Sequence, residues 1–183
     1  LAGETMLYGL GSIVPRFLNF VLVTLHTDVF HAADYGVITK LFAYVAVVNI
    51  LYIFGMETAY FRFANKPGAD EKKIFNLSQT VVVAVSLSAS ILMIIFSEGI
   101  ARVIDIPGHG DLVKILGVII LIDAVVAIPF SRLRLQKKPI KFAIGKLLNV
   151  CVLISLNLYL LKFSGLEPDI SFVLIANLAA NRF

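Results

Sequence analysis

Residues 112–132 read LVKILGVIILIDAVVAIPFSR, a stretch whose only charged residues are Lys114, Asp123 and Arg132. A helix of this length rises about 30 Å, the thickness of a bilayer's hydrocarbon core. The run reads as a membrane crossing with one carboxylate, Asp123, near its middle. On either side of it, long apolar runs predict further crossings over about 5–29, 37–63 and 74–97 before it and about 140–162 after it. A sixth apolar run begins at about Ile170 and stops after about a dozen residues, short of the roughly 20 that spanning needs.

Composition agrees with that reading. Of the 183 residues 59% are hydrophobic and 15% charged, and the mean hydropathy is +0.92. Soluble domains hold about 25% charged residues, so the solvent for this chain is lipid. The expected fold is an all-α integral membrane protein, a polytopic helix bundle of five complete transmembrane helices plus a truncated sixth. Residues 1–183 are expected to form one amino-terminal transmembrane lobe of a longer protein, because the chain lacks a starting methionine and the last run is short. Leu1 to Glu4 offer no basic region of a cleavable signal peptide. Cys151 is the single cysteine, which excludes an internal disulfide and a cysteine metal cluster and leaves it a packing role.

Charge alternates from turn to turn. Ten of the sixteen Lys and Arg fall at the second and fourth turns, namely Arg62, Lys66, Lys72, Lys73, Arg132, Arg134, Lys137, Lys138, Lys141 and Lys146. The acids Asp28, Asp34, Glu98, Asp105, Asp111, Glu167 and Asp169 gather at the other three turns. The excess of Lys and Arg marks the cytoplasmic side, which places turns two and four and the amino terminus inside.

The first crossing contains GSIVPRFLNF, residues 11–20, with Arg16 about 16 Å from its inner end. That depth exceeds what simple snorkelling serves, so the charge is expected to face the bundle interior or water. Thr5, Tyr8, Ser12, Arg16, Asn19 and His26 fall within an arc of about 80°, a polar stripe along the helix. Pro15 removes one backbone hydrogen bond there. Glu57, on the second crossing at a depth differing by about 7 Å, is the natural partner to test for Arg16. The pair reads either as a structural salt bridge or as a binding or gating element. Asp123 reads as a proton or cation site, or as the partner of a basic group. Lys146, Asn149 and Asn157 share another arc of about 80° on the fifth crossing, within snorkelling reach for Lys146.

Other features take plainer readings. His26, His31 and His109 sit at the outer turns without metal-ligand spacing and are expected to be solvated. The serines of SQTVVVAVSLSAS, residues 78–90, are expected to allow close helix contact. Tyr and Phe serve packing and interface anchoring. No phosphate-cradling glycine loop, metal-ligand helix or Ser/His/Asp set occurs in the sequence, so neither catalysis nor a cofactor is expected. A membrane-embedded glycosyl or phosphoglycosyl transferase would need acidic pairs or large polar loops.

Three stretches together carry a resemblance: YGLGSIVPRFLNFVLV, DYGVITKLFAYVAVVNILYIFGMETAYFRFANK and IDAVVAIPFSRLRLQKKPIKFAIGKLLNV. In this order and spacing they resemble polysaccharide-exporting flippases of the multidrug/oligosaccharidyl-lipid/polysaccharide exporter superfamily, most of all the bacterial O-antigen or oligosaccharide branch. The resemblance implies a MATE-like first lobe of an intact protein with about 12 to 14 helices. It implies alternating access that moves an undecaprenyl-diphosphate-linked oligosaccharide across the bacterial cytoplasmic membrane. A proton, a sodium ion or the membrane potential would drive it, and a glycan polymerase or glycosyltransferases would be its partners. In the related lipid II flippases an arginine of the first helix lines a cationic cavity, and Arg16 matches that position; Arg62 matches a second basic residue.

From the residues themselves, Tyr8, Ser12, Asn19 and Lys146 join Arg16 and Arg62 as candidate substrate contacts, and Glu57 and Asp123 as coupling or gating groups. A cationic cavity suits a diphosphate headgroup, and amides and hydroxyls suit sugars. The rival readings are a cation-coupled multidrug exporter of the same fold, which Glu57 and Asp123 would serve, and a lipid II flippase.

Overall fold

The computed structural model describes residues 2–165 and 167–181, with the side chains at 2–8, 10–12 and 16 outside the description. Apolar runs become helices because a backbone removed from water must satisfy its own N–H and C=O groups. The elements are α1 (Ala2–Val29), α2 (Ala32–Ile53), α3 (Met56–Ala64), α4 (Glu71–Ile95), α5 (Ser97–Val103), α6 (Gly110–Leu135), α7 (Pro139–Leu158) and α8 (Ile170–Ala180), with a π-helical turn over Tyr159–Phe163. No strand occurs among the described residues. Among these residues four stretches are long and apolar enough to cross a membrane: Ala32–Ala64, Glu71–Ile95, Gly110–Leu135 and Pro139–Phe163.

Local chemistry sets the ends. The Asp70 carboxylate accepts from the Lys73 amide at 3.1 Å and starts α4, and Asp169 does the same for α8 through the Ser171 amide at 2.6 Å. Pro139 opens α7, where its missing N–H costs nothing.

The crossing expected over 37–63 is not one continuous helix. It breaks between α2 and α3, where Phe54 has φ 35° and Gly55 has φ 76°. Glycine tolerates that left-handed backbone because it has no Cβ. The crossing expected over 140–162 likewise changes form near its end, closing in the π-helical turn.

The chain forms two compact units, Leu1–Phe42 with Lys137–Phe183, and Ala43–Gln136. In the first unit α1 packs along α7, and α7 along α8. Their core holds Leu22, Leu25, Ile38, Leu153, Val173 and Ala176. Asp28 and Lys162 pair at 2.8 Å and tie the end of α1 to the π turn.

In the second unit α4 packs along α6, with α3 against both and α5 against α6. Ser78, Val82, Ser86 and Ser90 recur every four residues on α4 and are all buried. Small side chains let the helix backbones approach, as the run 78–90 led one to expect. Ser86 returns its hydroxyl to the Val82 carbonyl at 2.6 Å. Ser90 donates to the Gly117 carbonyl of α6 at 2.8 Å and lies 3.1 Å from the Tyr52 hydroxyl.

Candidate functional site

Polar side chains of the first unit converge on a cavity of about 330 Å³. Asn19, Leu22, Val23 and His26 line it from α1, and Tyr35, Ile38, Thr39 and Phe42 from α2. Both quartets follow the i, i+3, i+4, i+7 spacing of a single helix face. Leu153 and Asn157 of α7 and Val173 and Asn177 of α8, each pair four residues apart, complete the wall. The lining is apolar surface set with amides, hydroxyls and one imidazole, and none of these residues is Asp, Glu, Lys or Arg.

His26 and Asn157 hold the polar side of the cavity together. The Asn157 amide nitrogen donates to the Leu153 carbonyl at 2.9 Å, which turns its oxygen toward His26. The His26 Nε2 donates to that oxygen across 3.0 Å. His26 is 6% exposed and Asn157 1%, so the expectation of a solvated His26 is corrected. The physical reason is that α1 stays helical to Val29 and puts residue 26 on the face that Leu22 buries. A second amide chain ties α7 to α8. Asn149 donates to the Ala180 carbonyl at 3.0 Å and to the Asn181 side-chain oxygen at 2.9 Å, and Asn181 donates to Asn177 at 3.2 Å.

Asn157→Leu keeps the volume but leaves the buried imidazole N–H without an acceptor. We expect a loss of about 1 kcal/mol, below the full desolvation penalty because the ring can move its proton to Nδ1. Thermal unfolding in detergent checks this, with Asn157→Gln as the variant that keeps the acceptor.

The second unit holds a lattice of ion pairs at the ends of α3, α4 and α6. Arg132 donates from Nη2 to Glu71 Oε2 at 3.1 Å and its Nε lies 2.9 Å from Oε1 as an ion pair, and its guanidinium lies 4.4 Å over the Phe75 ring. The fully buried Tyr60 donates its hydroxyl to the same Glu71 carboxylate at 2.7 Å. Arg134 reaches Glu57 at 3.2 Å and the Ser131 hydroxyl at 3.0 Å, over Phe61 at 5.3 Å. The acid proposed from the sequence as a partner of Arg16 thus has a cation from α6 beside it.

Arg132→Ala strands Glu71 and removes a ring contact. The two side chains are 32% and 31% exposed, so the cost falls between that of a surface and a buried pair, about 2 kcal/mol. A drop of about 4–8 °C in the thermal midpoint is the expected reading. Pairing the change with Glu71→Gln recovers part of it.

The other sequence candidates are dispersed. Asn19 lines the first-unit cavity. The side chains of Tyr8, Ser12 and Arg16 lie outside the described residues, although α1 is helical through all three positions. Lys146 is exposed on α7, away from the cavity lining. Arg62 is exposed in the last turn of α3, and Asp123 is half-buried on α6. Among the described residues no group of three His, Cys, Asp or Glu is placed to hold a metal ion. Sequence reasoning passed over Tyr35, Thr39 and Asn177, whose signal was the four-residue spacing Tyr35–Thr39 and Asn177–Asn181.

Four described helices of this length and hydropathy define a multi-pass α-helical membrane protein. Residues 29–164 match the family described as polysaccharide biosynthesis protein, and the chain belongs to that family. The matched segment contains the α2 and α7 walls of the cavity and begins after Arg16 and Asn19. No curated protein and no solved structure matches the chain.

Proposed function

We propose that this chain is the first lobe of a MATE-like flippase in the bacterial inner membrane, with its amino terminus in the cytoplasm. Its substrate is an undecaprenyl-diphosphate-linked oligosaccharide, moved from the inner to the outer leaflet by alternating access. The observation that carries the proposal is an uncharged, largely apolar cavity set with amides and hydroxyls, in a helical unit of a polysaccharide biosynthesis protein. Buried polar groups in lipid are costly, so they mark a path for something polar. Sugars present hydroxyls that amides bind and C–H faces that the rings of Tyr35 and Phe42 cover. The diphosphate calls for a cation, a role that falls to Arg16. Asp123 serves as the coupling or gating group.

The competing exporter of organic cations needs a free acid in the path. Glu57 has Arg134 at 3.2 Å, which weakens that reading. The test is deletion of the gene followed by measurement of lipid-linked oligosaccharide in the inner leaflet. Accumulation is expected, and unchanged levels would count against the proposal.

A further inference from the structure

A groove of about 570 Å³ lies between α3 and α4 in the second unit. Met56, Ala59 and Phe63 line it from α3, and Ile74, Leu77 and Val81 from α4. Each set again marks one helix face. The groove is open, for Phe63 is 48% and Leu77 65% exposed. From Ile74 to Val81 it runs about 10 Å along α4. At the end where α3 stops it meets Lys66, Pro67, Gly68 and Ala69.

One end is therefore cationic and the rest is apolar. The exposed Lys66 places its ammonium 4.7 Å from the centre of the Phe63 ring, at the end of the groove. The two acids of this connection are engaged elsewhere. Asp70 caps the start of α4 through the Lys73 amide, and Glu71 is shared by Arg132 and Tyr60. Lys66 has no acidic side chain within ion-pair distance among the described residues.

We infer that this groove seats one anionic glycerophospholipid, its phosphate on Lys66 and one acyl chain along Phe63, Leu77 and Val81. The order of chemistry along the groove, cation at the helix ends and hydrocarbon toward Met56 and Val81, is that of a lipid standing in a leaflet. A basic residue beside a membrane surface attracts anionic lipid by about fivefold. The seat is independent of what the protein moves.

The test is native mass spectrometry of the intact protein released from nanodiscs holding equal phosphatidylglycerol and phosphatidylcholine. The wild type is expected to retain phosphatidylglycerol about fivefold over phosphatidylcholine. Lys66→Gln is expected to bring the ratio to parity, and Lys66→Arg to restore it. Ala59→Phe fills the groove without changing charge and is expected to release the retained lipid. An enrichment unchanged in Lys66→Gln overturns the inference. So does added undecaprenyl phosphate that displaces phosphatidylglycerol at equal amounts, since the seat would then belong to a prenyl carrier.

Discussion

Replacing Arg16 with alanine is expected to lower export of lipid-linked oligosaccharide by about ten- to a hundredfold while leaving the protein in the membrane. Hydrogen bonds to charged groups contribute about 1.5–3 kcal/mol each, which converts to that range of rates. The expectation rests on position in the helix. Arg16 stands one turn before Asn19 on α1, and Asn19 and His26 line the first-unit cavity. Insertion survives because removing a charge lowers the cost of placing this helix in a bilayer. Arg16→Lys should keep part of the activity, since it retains the charge but loses the planar fork that holds two phosphate oxygens at once. The measurement is surface polysaccharide at matched protein levels in the membrane fraction. Wild-type export by Arg16→Ala would remove the residue from the mechanism.

The greatest loss of stability is expected from Ser90→Leu. Ser90 is 1% exposed in the seam between α4 and α6, where the serine stripe sets the helix spacing. Leucine adds volume that the seam can take only by separating the helices, at about 1–3 kcal/mol. It also removes the donor to the Gly117 carbonyl and the partner 3.1 Å from the Tyr52 hydroxyl. We expect about 3 kcal/mol in all, seen as a fall of about 6–12 °C in the thermal midpoint in detergent. Ser90→Ala keeps the spacing and isolates the hydrogen-bond part, expected at about 1 kcal/mol. Equal losses for the two variants would show that close packing is not what the stripe provides.

Much of the helical layout was legible because lipid enforces a simple rule. Apolar runs such as VIILIDAVVAIP must hydrogen-bond within themselves, and helix is the local way to do so. The break at Phe54–Gly55 was not legible. A lone glycine inside ILYIFGMETAY reads as a tolerated residue, and the left-handed backbone emerges only in the folded chain. His26 is ambiguous in the sequence because it opens the polar stretch HTDVFHAADYG, although its place in the polar arc with Asn19 points inward. Tyr35 precedes the apolar run that begins near 37 and so reads as a turn residue, and Thr39 reads as a lone hydroxyl within an apolar helix. Glu57 and Arg134 lie 77 positions apart. Depth arguments say how far an acid sits from the membrane edge, but any basic group at that level satisfies them, so the partner waits for the tertiary structure.

Movement of a sugar-bearing lipid between leaflets can be watched by reconstitution. The intact protein is placed in liposomes with undecaprenyl-diphosphate-linked oligosaccharide in one leaflet, and a membrane-impermeant glycosidase reports how much reaches the other. Translocation well above that of protein-free vesicles, and lost with Arg16→Ala, is the result expected. Rates equal to protein-free vesicles, under conditions where the protein is folded and inserted, would rule out a flippase.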